Sequence, residues 1–286
     1  MMRLPSRRER SLFPRMLLLA TCVCMLIAMM TLMHASSARA GSFRVTCAFS
    51  HRSHDDPIVH DGAMDMSHLH DFFGSVSTGA MSTYTSMTQS SSSCSDRDDT
   101  AGYWHPHLTA GGRSVTARAT VWYSLGGKPT ARPFPRGLKL LAGDAMSTTA
   151  QSRRVVWWRC SGPGARSAQR LRTPPRCAAR QQLTVNLAFP DCWNGRDLDS
   201  ADHRSHMRYS RSGRCPATHR YGVPRVVLEL TWPTHVGPAR LQFASGGWQS
   251  VHADFWNTWN QRRLRNLVDQ CINLQTDCGV VHHRRG

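Results

Sequence analysis

Eight cysteines scattered after residue 40 constrain this 286-residue chain more than anything else in it: Cys47, Cys94, Cys160, Cys177, Cys192, Cys215, Cys271 and Cys278. No Cys-x-x-Cys occurs among them, so the paired thiolates of a structural zinc site are missing. An even, dispersed set points to disulfides, up to four, in an oxidising compartment. Eight cysteines allow about a hundred pairings. Neighbours along the chain suggest Cys271–Cys278, Cys192–Cys215 and Cys160–Cys177, which leaves Cys47 for Cys94.

The N-terminus supplies a route to that compartment. Arg3, Arg7, Arg8, Arg10 and Arg15 face a single acid, Glu9, and an uncharged run follows from Met16 to Met33. Ala38-Arg39-Ala40 then puts small residues where a signal peptidase reads. This layout predicts a secretory signal over 1–40, cleaved after Ala40, which would also remove Cys22 and Cys24. The apolar run reaches the lower edge of a bilayer span, so an uncleaved membrane anchor is the alternative. Neither a linker nor a repeat divides the remainder, so residues 41–286 are expected to form one extracellular or periplasmic domain.

Losing residues 1–40 removes six arginines and one glutamate and lowers the net charge from +18 to +13. Lys128 and Lys139 are the only lysines. An arginine surface of this kind attracts acidic partners, here acidic polysaccharide or the cell envelope. Nucleic acid is not expected, because no basic stretch interleaves aromatics and export takes the chain away from it.

Alternation with period two runs through 113–123, 181–189 and 224–232, and more weakly through 42–49, 136–142, 153–159 and 239–245. One helix is predicted at 257–273, capped by Asn257 or Thr258, with Leu264, Leu267, Val268, Cys271 and Ile272 on one apolar face. The Ser- and Thr-rich stretch 75–100 and the Gly/Pro stretch 161–176 read as loops. The fold class is mainly β: an antiparallel β-sandwich-like domain with long irregular loops, disulfides and one C-terminal helix.

Histidine is the conspicuous chemical resource. Ser67-His68-Leu69-His70-Asp71 places two imidazoles on one side of an extended segment, where they can hold a metal or move a proton. His252-Ala253-Asp254 puts an imidazole and a carboxylate on one side of a strand, where the carboxylate can orient a ring. Asp202-His203-Arg204-Ser205-His206 and His105-Pro106-His107 are further clusters. Glu229 is the one glutamate after residue 40, so a carboxylate pair for sugar chemistry would need aspartate.

Ordered motifs extend this pattern. They are Asp56-Pro57-Ile58-Val59, Ser67-His68-x-His70-x-Phe72-Phe73-Gly74, Tyr103-Trp104-x-Pro106, Phe134-Pro135-x-Gly137-Leu138 and Ala142-Gly143-Asp144. Then come Phe189-Pro190-Asp191-Cys192-Trp193-Asn194-Gly195, Asp202-His203-x-Ser205-His206-Met207-x-Tyr209, Cys215-Pro216-x-x-His219 and His252-x-Asp254-Phe255-x-x-x-Trp259. From about 43 to 278 the chain resembles a secreted family of fungi and bacteria, domain of unknown function number nineteen-ninety-six. The resemblance places His68, His70, His203, His206, His219 and His252 in family motifs and leaves His105 and His107 outside them. It implies no settled activity. Some fungal members carry sugar-binding modules, an association that leans toward glycans.

Three functions follow as expectations. The first is an enzyme on extracellular or cell-wall polysaccharide, a hydrolase or lyase. His68, His70, His206, His252 and Asp254 would meet in one cleft as its acid–base groups. Trp104 and Trp193 would stack on sugar rings, with Asp144, His203 and His219 as further substrate contacts. The second is a metal-binding protein, with His68 and His70 as the leading ligands. The third is a non-catalytic glycan- or envelope-binding module. No cofactor is named by the sequence.

Overall fold

The computed structural model describes residues 41–166 and 168–283. The expected signal, its cleavage site and the alternative anchor lie outside the described residues. Among the described residues no helix is long and apolar enough to cross a membrane.

Nine strands fill the first half: β1 Ser42–Cys47, β2 Phe49–Ser53, β3 His70–Gly74, β4 Gly102–Pro106, β5 Leu108–Ala110, β6 Arg113–Val115, β7 Arg118–Ser124, β8 Lys139–Gly143 and β9 Val156–Ser161. Nine follow: β10 Gln182–Ala188, β11 Cys192–Trp193, β12 Met207–Arg208, β13 Tyr221–Gly222, β14 Arg225–Trp232, β15 Leu241–Phe243, β16 Gly246–Gly247, β17 His252–Trp256 and β18 Asp277–Val280. A six-stranded sheet runs β18-β1-β7-β14-β10-β9, antiparallel except where β18 lies parallel to β1. A five-stranded antiparallel sheet runs β2-β3-β4-β17-β8, and two small sheets run β12-β11-β13 and β16-β15-β5-β6.

Alternation builds the large sheet. In β14 Val226, Leu228, Leu230 and Trp232 are buried while Arg225, Val227, Glu229 and Thr231 are half-exposed. That buried face meets the five-stranded sheet. Tyr103 on β4 bonds the Tyr123 hydroxyl on β7 at 2.5 Å, and the His105 ring sits edge-on to Trp232 with centroids 5.5 Å apart. Phe43, Val121, Leu228, Phe73 and Phe255 belong to the same continuous core. The chain is thus mainly β, a sandwich of two sheets.

Several local expectations are corrected. The stretch 113–123 is two strands, because β6 pairs back on β5 in a small sheet while β7 enters the large one. The loop-like stretch 75–100 holds α1, Tyr84–Thr88, closed by a reciprocal cap between Thr83 and Ser86. The C-terminal helix begins later than expected: α2 is Gln261–Leu267, capped by the Asn260 side chain, and widens into a π-helix over Val268–Asn273. Asn257 and Thr258 do not cap it because they are engaged elsewhere. Asn257 donates to the Pro135 carbonyl at 2.7 Å and Thr258 to the Thr100 carbonyl at 2.5 Å.

Four disulfides join Cys47 to Cys94, Cys160 to Cys177, Cys192 to Cys215 and Cys271 to Cys278, the pairing suggested by sequence neighbours. Such a set fits an extracellular, oxidising location.

Candidate functional site

The outer face of the five-stranded sheet is polar and yet buried. Period two sends Phe73, Tyr103 and Phe255 into the core, and therefore turns His70, Phe72, Trp104, His252, Asp254 and Trp256 outward. Register aligns Phe72, Trp104, Asp254 and Leu141 in one row across β3, β4, β17 and β8. Every residue of β3, β4 and β17 is buried.

The loop over 54–69 covers this face. Ile58 is buried against Phe72, Met87, Trp104 and Trp256. One oxygen of Asp56 accepts from the Ile58 and Val59 amides, both at 3.0 Å. Lys139 lies 4.6 Å over the Trp256 ring and donates to the Pro57 carbonyl at 3.0 Å. At the base of the loop the Ser67 amide donates to the His54 carbonyl at 2.9 Å.

Three imidazoles meet beneath it. Ring centroids are 4.3 Å apart for His68 and His70, 5.0 Å for His68 and His252, and 5.9 Å for His70 and His252. His70 Nδ1 lies 2.9 Å from the Asp55 carbonyl and His252 Nδ1 2.9 Å from the Ser250 carbonyl. A carbonyl only accepts, so in each ring the hydrogen sits on Nδ1 and Nε2 keeps its lone pair. Nε2 of His68 and of His70 are buried without a hydrogen-bond partner among the described residues. One ring nitrogen from each of the three histidines falls within 4.8 Å of the others. Atoms of Asp56, His70 and Asp254 satisfy the same limit, and Asp254 Oδ2 is also buried without a partner.

Burial disfavours charge on the three rings and on Asp254. Burial lowers the His68 ring, takes His70 well below its ordinary value with help from His68, and brings His252 down to about 3. Burial likewise holds the Asp254 carboxyl well above the usual range, the charge of Asp56 adds to this, and Arg204 opposes it. In His70 and His252 the Nε2 lone pair is left for an electron-poor partner. Rings bound to a tetrahedral metal at about 2 Å would stand about 5 Å apart by centroid, the middle of the observed spread.

The other expected site residues lie at varying distance from this cluster. Trp104 lies opposite Asp254 on the neighbouring strand, and its indole nitrogen is buried without a partner among the described residues. Asp144 follows β8 and accepts from the Met146 amide at 2.9 Å in an exposed turn. Gly143 pairs with His252 at a φ of +81°, where a Cβ would come within 2.7 Å of the Val251 carbonyl oxygen. His206 is not part of the three-imidazole group. Its nitrogens are taken by Ser200 at 2.9 Å and the Lys139 carbonyl at 2.8 Å. Lys139 pairs with Trp256, four positions from His252, about 13 Å along a strand. His203 is held by Asp199 at 3.0 Å, His219 by the Ser205 carbonyl at 2.8 Å, and Trp193 donates to the Asp197 carbonyl at 2.6 Å. These three brace the 193–222 segment. His105 packs in the core, and His107 is held by Asp71 at 3.1 Å and Ser114 at 3.0 Å.

Asp56, Trp256 and Arg204 complete the surroundings, and none stood among the residues expected from sequence. Asp56 opens a family motif, and Trp256 continues the His252–Asp254 period, so both carried a signal. Arg204 donates to the Gly143 carbonyl at 2.9 Å, a contact with no trace in its spacing.

A family model described as a domain of unknown function, DUF1996, matches residues 56–259, a span that begins at Asp56 and encloses the whole cluster. No curated protein and no solved structure matches the chain.

Proposed function

This chain belongs to the DUF1996 family, and from that premise we propose that it is an extracellular metal-binding protein with His68, His70 and His252 as ligands. One observation carries the reading: three buried imidazole nitrogens converge, and in two of the rings the only hydrogen is committed to a backbone carbonyl. Carbonyls bonded to the far nitrogen are how proteins fix the tautomer and direction of a ligating histidine. Asp56 or Asp254 stands where a fourth ligand or a water partner belongs. Enclosure under the 54–69 loop favours holding an ion over turning over a polymer. The test is elemental analysis of secreted protein after dialysis. One equivalent of transition metal is expected, with loss on His70→Ala and on His252→Ala while the far-ultraviolet circular dichroism stays unchanged. Metal-free wild type, or variants that keep the ion, would end the reading.

A second reading keeps polysaccharide hydrolysis or elimination. It is favoured by the Asp56–Asp254 carboxylate pair beside Trp104, because glycoside cleavage uses two acids. Release of reducing or unsaturated ends from a panel of neutral and acidic glycans, abolished by Asp254→Asn, is the outcome that separates it from the first.

A further inference from the structure

The segment leading into the cluster reads Met64-Asp65-Met66-Ser67-His68-Leu69-His70. Its methionines are turned out to solvent, Met64 at 66% and Met66 at 64% exposure. Connectivity alone holds Met66 within about 7 Å and Met64 within about 14 Å of His68, Cα to Cα. A third methionine joins them: the Gly62 amide donates to the Ala80 carbonyl at 2.9 Å, which ties Met81, 66% exposed, to the same loop. Methionine ordinarily fills gaps in a core, and three thioethers exposed around one loop forgo that burial. His54 and His60 stand on this loop too, His54 Nδ1 donating to the carbonyl of Ser67, the residue before His68, at 3.0 Å. Exposed thioethers and two imidazoles thus belong to, or are tied to, a loop that leads into the three-imidazole group.

Thioether sulfur holds monovalent copper well and zinc or magnesium poorly, whereas imidazole accepts copper and zinc alike. We propose that the ion of this centre is copper, captured as Cu(I) by Met64, Met66 and Met81 and passed by way of His60 or His54 to His68, His70 and His252. This rests on reading the histidine cluster as a metal centre. Transfer is ligand exchange at one oxidation state: a sulfur–copper bond breaks as a nitrogen–copper bond forms. No electron moves, and the receiving Nε2 atoms of His70 and His252 have no proton to shed.

The experiment uses the secreted chain and its Met64→Leu/Met66→Leu/Met81→Leu variant, which keeps side-chain bulk at exposed positions. Cu(I) is supplied as its bicinchoninate complex, and transfer is followed by loss of the complex's colour; zinc sulfate serves as the second probe. The expected result is one copper per chain for both proteins, at least tenfold slower transfer to the leucine variant, and equal zinc uptake. Equal copper transfer rates would overturn the loading surface, as would wild type that takes zinc but not Cu(I), and in both cases the metal centre survives. Wild type that takes neither ion would overturn the centre and the loading surface together.

Discussion

Asp71 and Asp99 are both fully buried, yet their neighbours drive them in opposite directions. Burial works to raise Asp71, but His107 at 3.1 Å and Arg52 at 2.5 Å outweigh it and hold the carboxyl below its ordinary range. At Asp99 burial wins and lifts the carboxyl well above that range, against the hydroxyl of Tyr103 at 2.8 Å. Linkage fixes the signs. Stability from Asp71 is present above the ordinary carboxylate pKa and lost as pH falls through the folded value. Stability from Asp99 is full below about pH 4 and declines as pH rises toward its folded value. Asp71→Asn should therefore cost on the order of 2 kcal/mol at neutral pH, a cost that fades in acid. The cost of Asp99→Asn should instead shrink as pH climbs. Calorimetric melting of both variants across this range tests the pair, and two pH-independent differences would show the ionisation states to be misassigned. The same scale explains which histidines were legible. His68, His70, His252 and Asp254 share the two-residue spacing of one sheet face, so pattern and placement agree. His206 has similar sequence surroundings, but its two bonds to Ser200 and the Lys139 carbonyl depend on a loop path that spacing does not encode.

At the scale of elements, strands that alternate apolar with polar residues announced themselves and strands that mix them did not. β7 and β14 alternate because the large sheet has an outer side, and β10 keeps the pattern although Thr184 and Asn186 on that side are buried. β3, β4 and β17 mix His, Asp, Phe and Trp because both of their sides are covered, so no apolar–polar rhythm survives. The strands hardest to read were for that reason the ones that carry the site. Their cover depends on Ile58, the apolar plug of the 54–69 loop. Ile58→Ala should speed hydrogen exchange at the Val59 and Ser67 amides at least tenfold and leave the β14 amides protected, because the loop opens locally while the sandwich stays closed. Exchange of these amides at the rate of the β14 amides, through global unfolding alone, would show that the loop is not a separate unit. By contrast, replacing Cys160 and Cys177 together by alanine opens a 17-residue connection between β9 and β10. A loss of roughly 3 kcal/mol in chemical denaturation is expected, with metal stoichiometry untouched. Ion loss in that variant would mean that the two regions are coupled.

For the whole molecule, composition spoke clearly about cysteine and less clearly about arginine. Even count and wide spacing led to four disulfides, and thiol titration of denatured secreted protein should find no free sulfhydryl. Any titratable thiol there would contradict the pairing. Charge drew attention to acidic partners, while the ion pairs show arginine also at structural work, Arg159 with Glu229 at 2.7 Å and Arg263 with Asp96 at 2.8 Å.

Among the described residues the covalent bridges are all short in sequence; the longest, Cys47–Cys94, spans 47 positions, and none joins β3 to β17. His70 and His252 sit on neighbouring parts of one sheet face with 182 positions between them. An ion gripped by both would act as a fifth staple, removable, closing a ring of chain far larger than any sulfur bridge closes. By loop-closure entropy such a tie restricts the unfolded ensemble by about 5 kcal/mol. An ion held in this way would make the lifetime of this protein against proteolysis follow the local supply of metal.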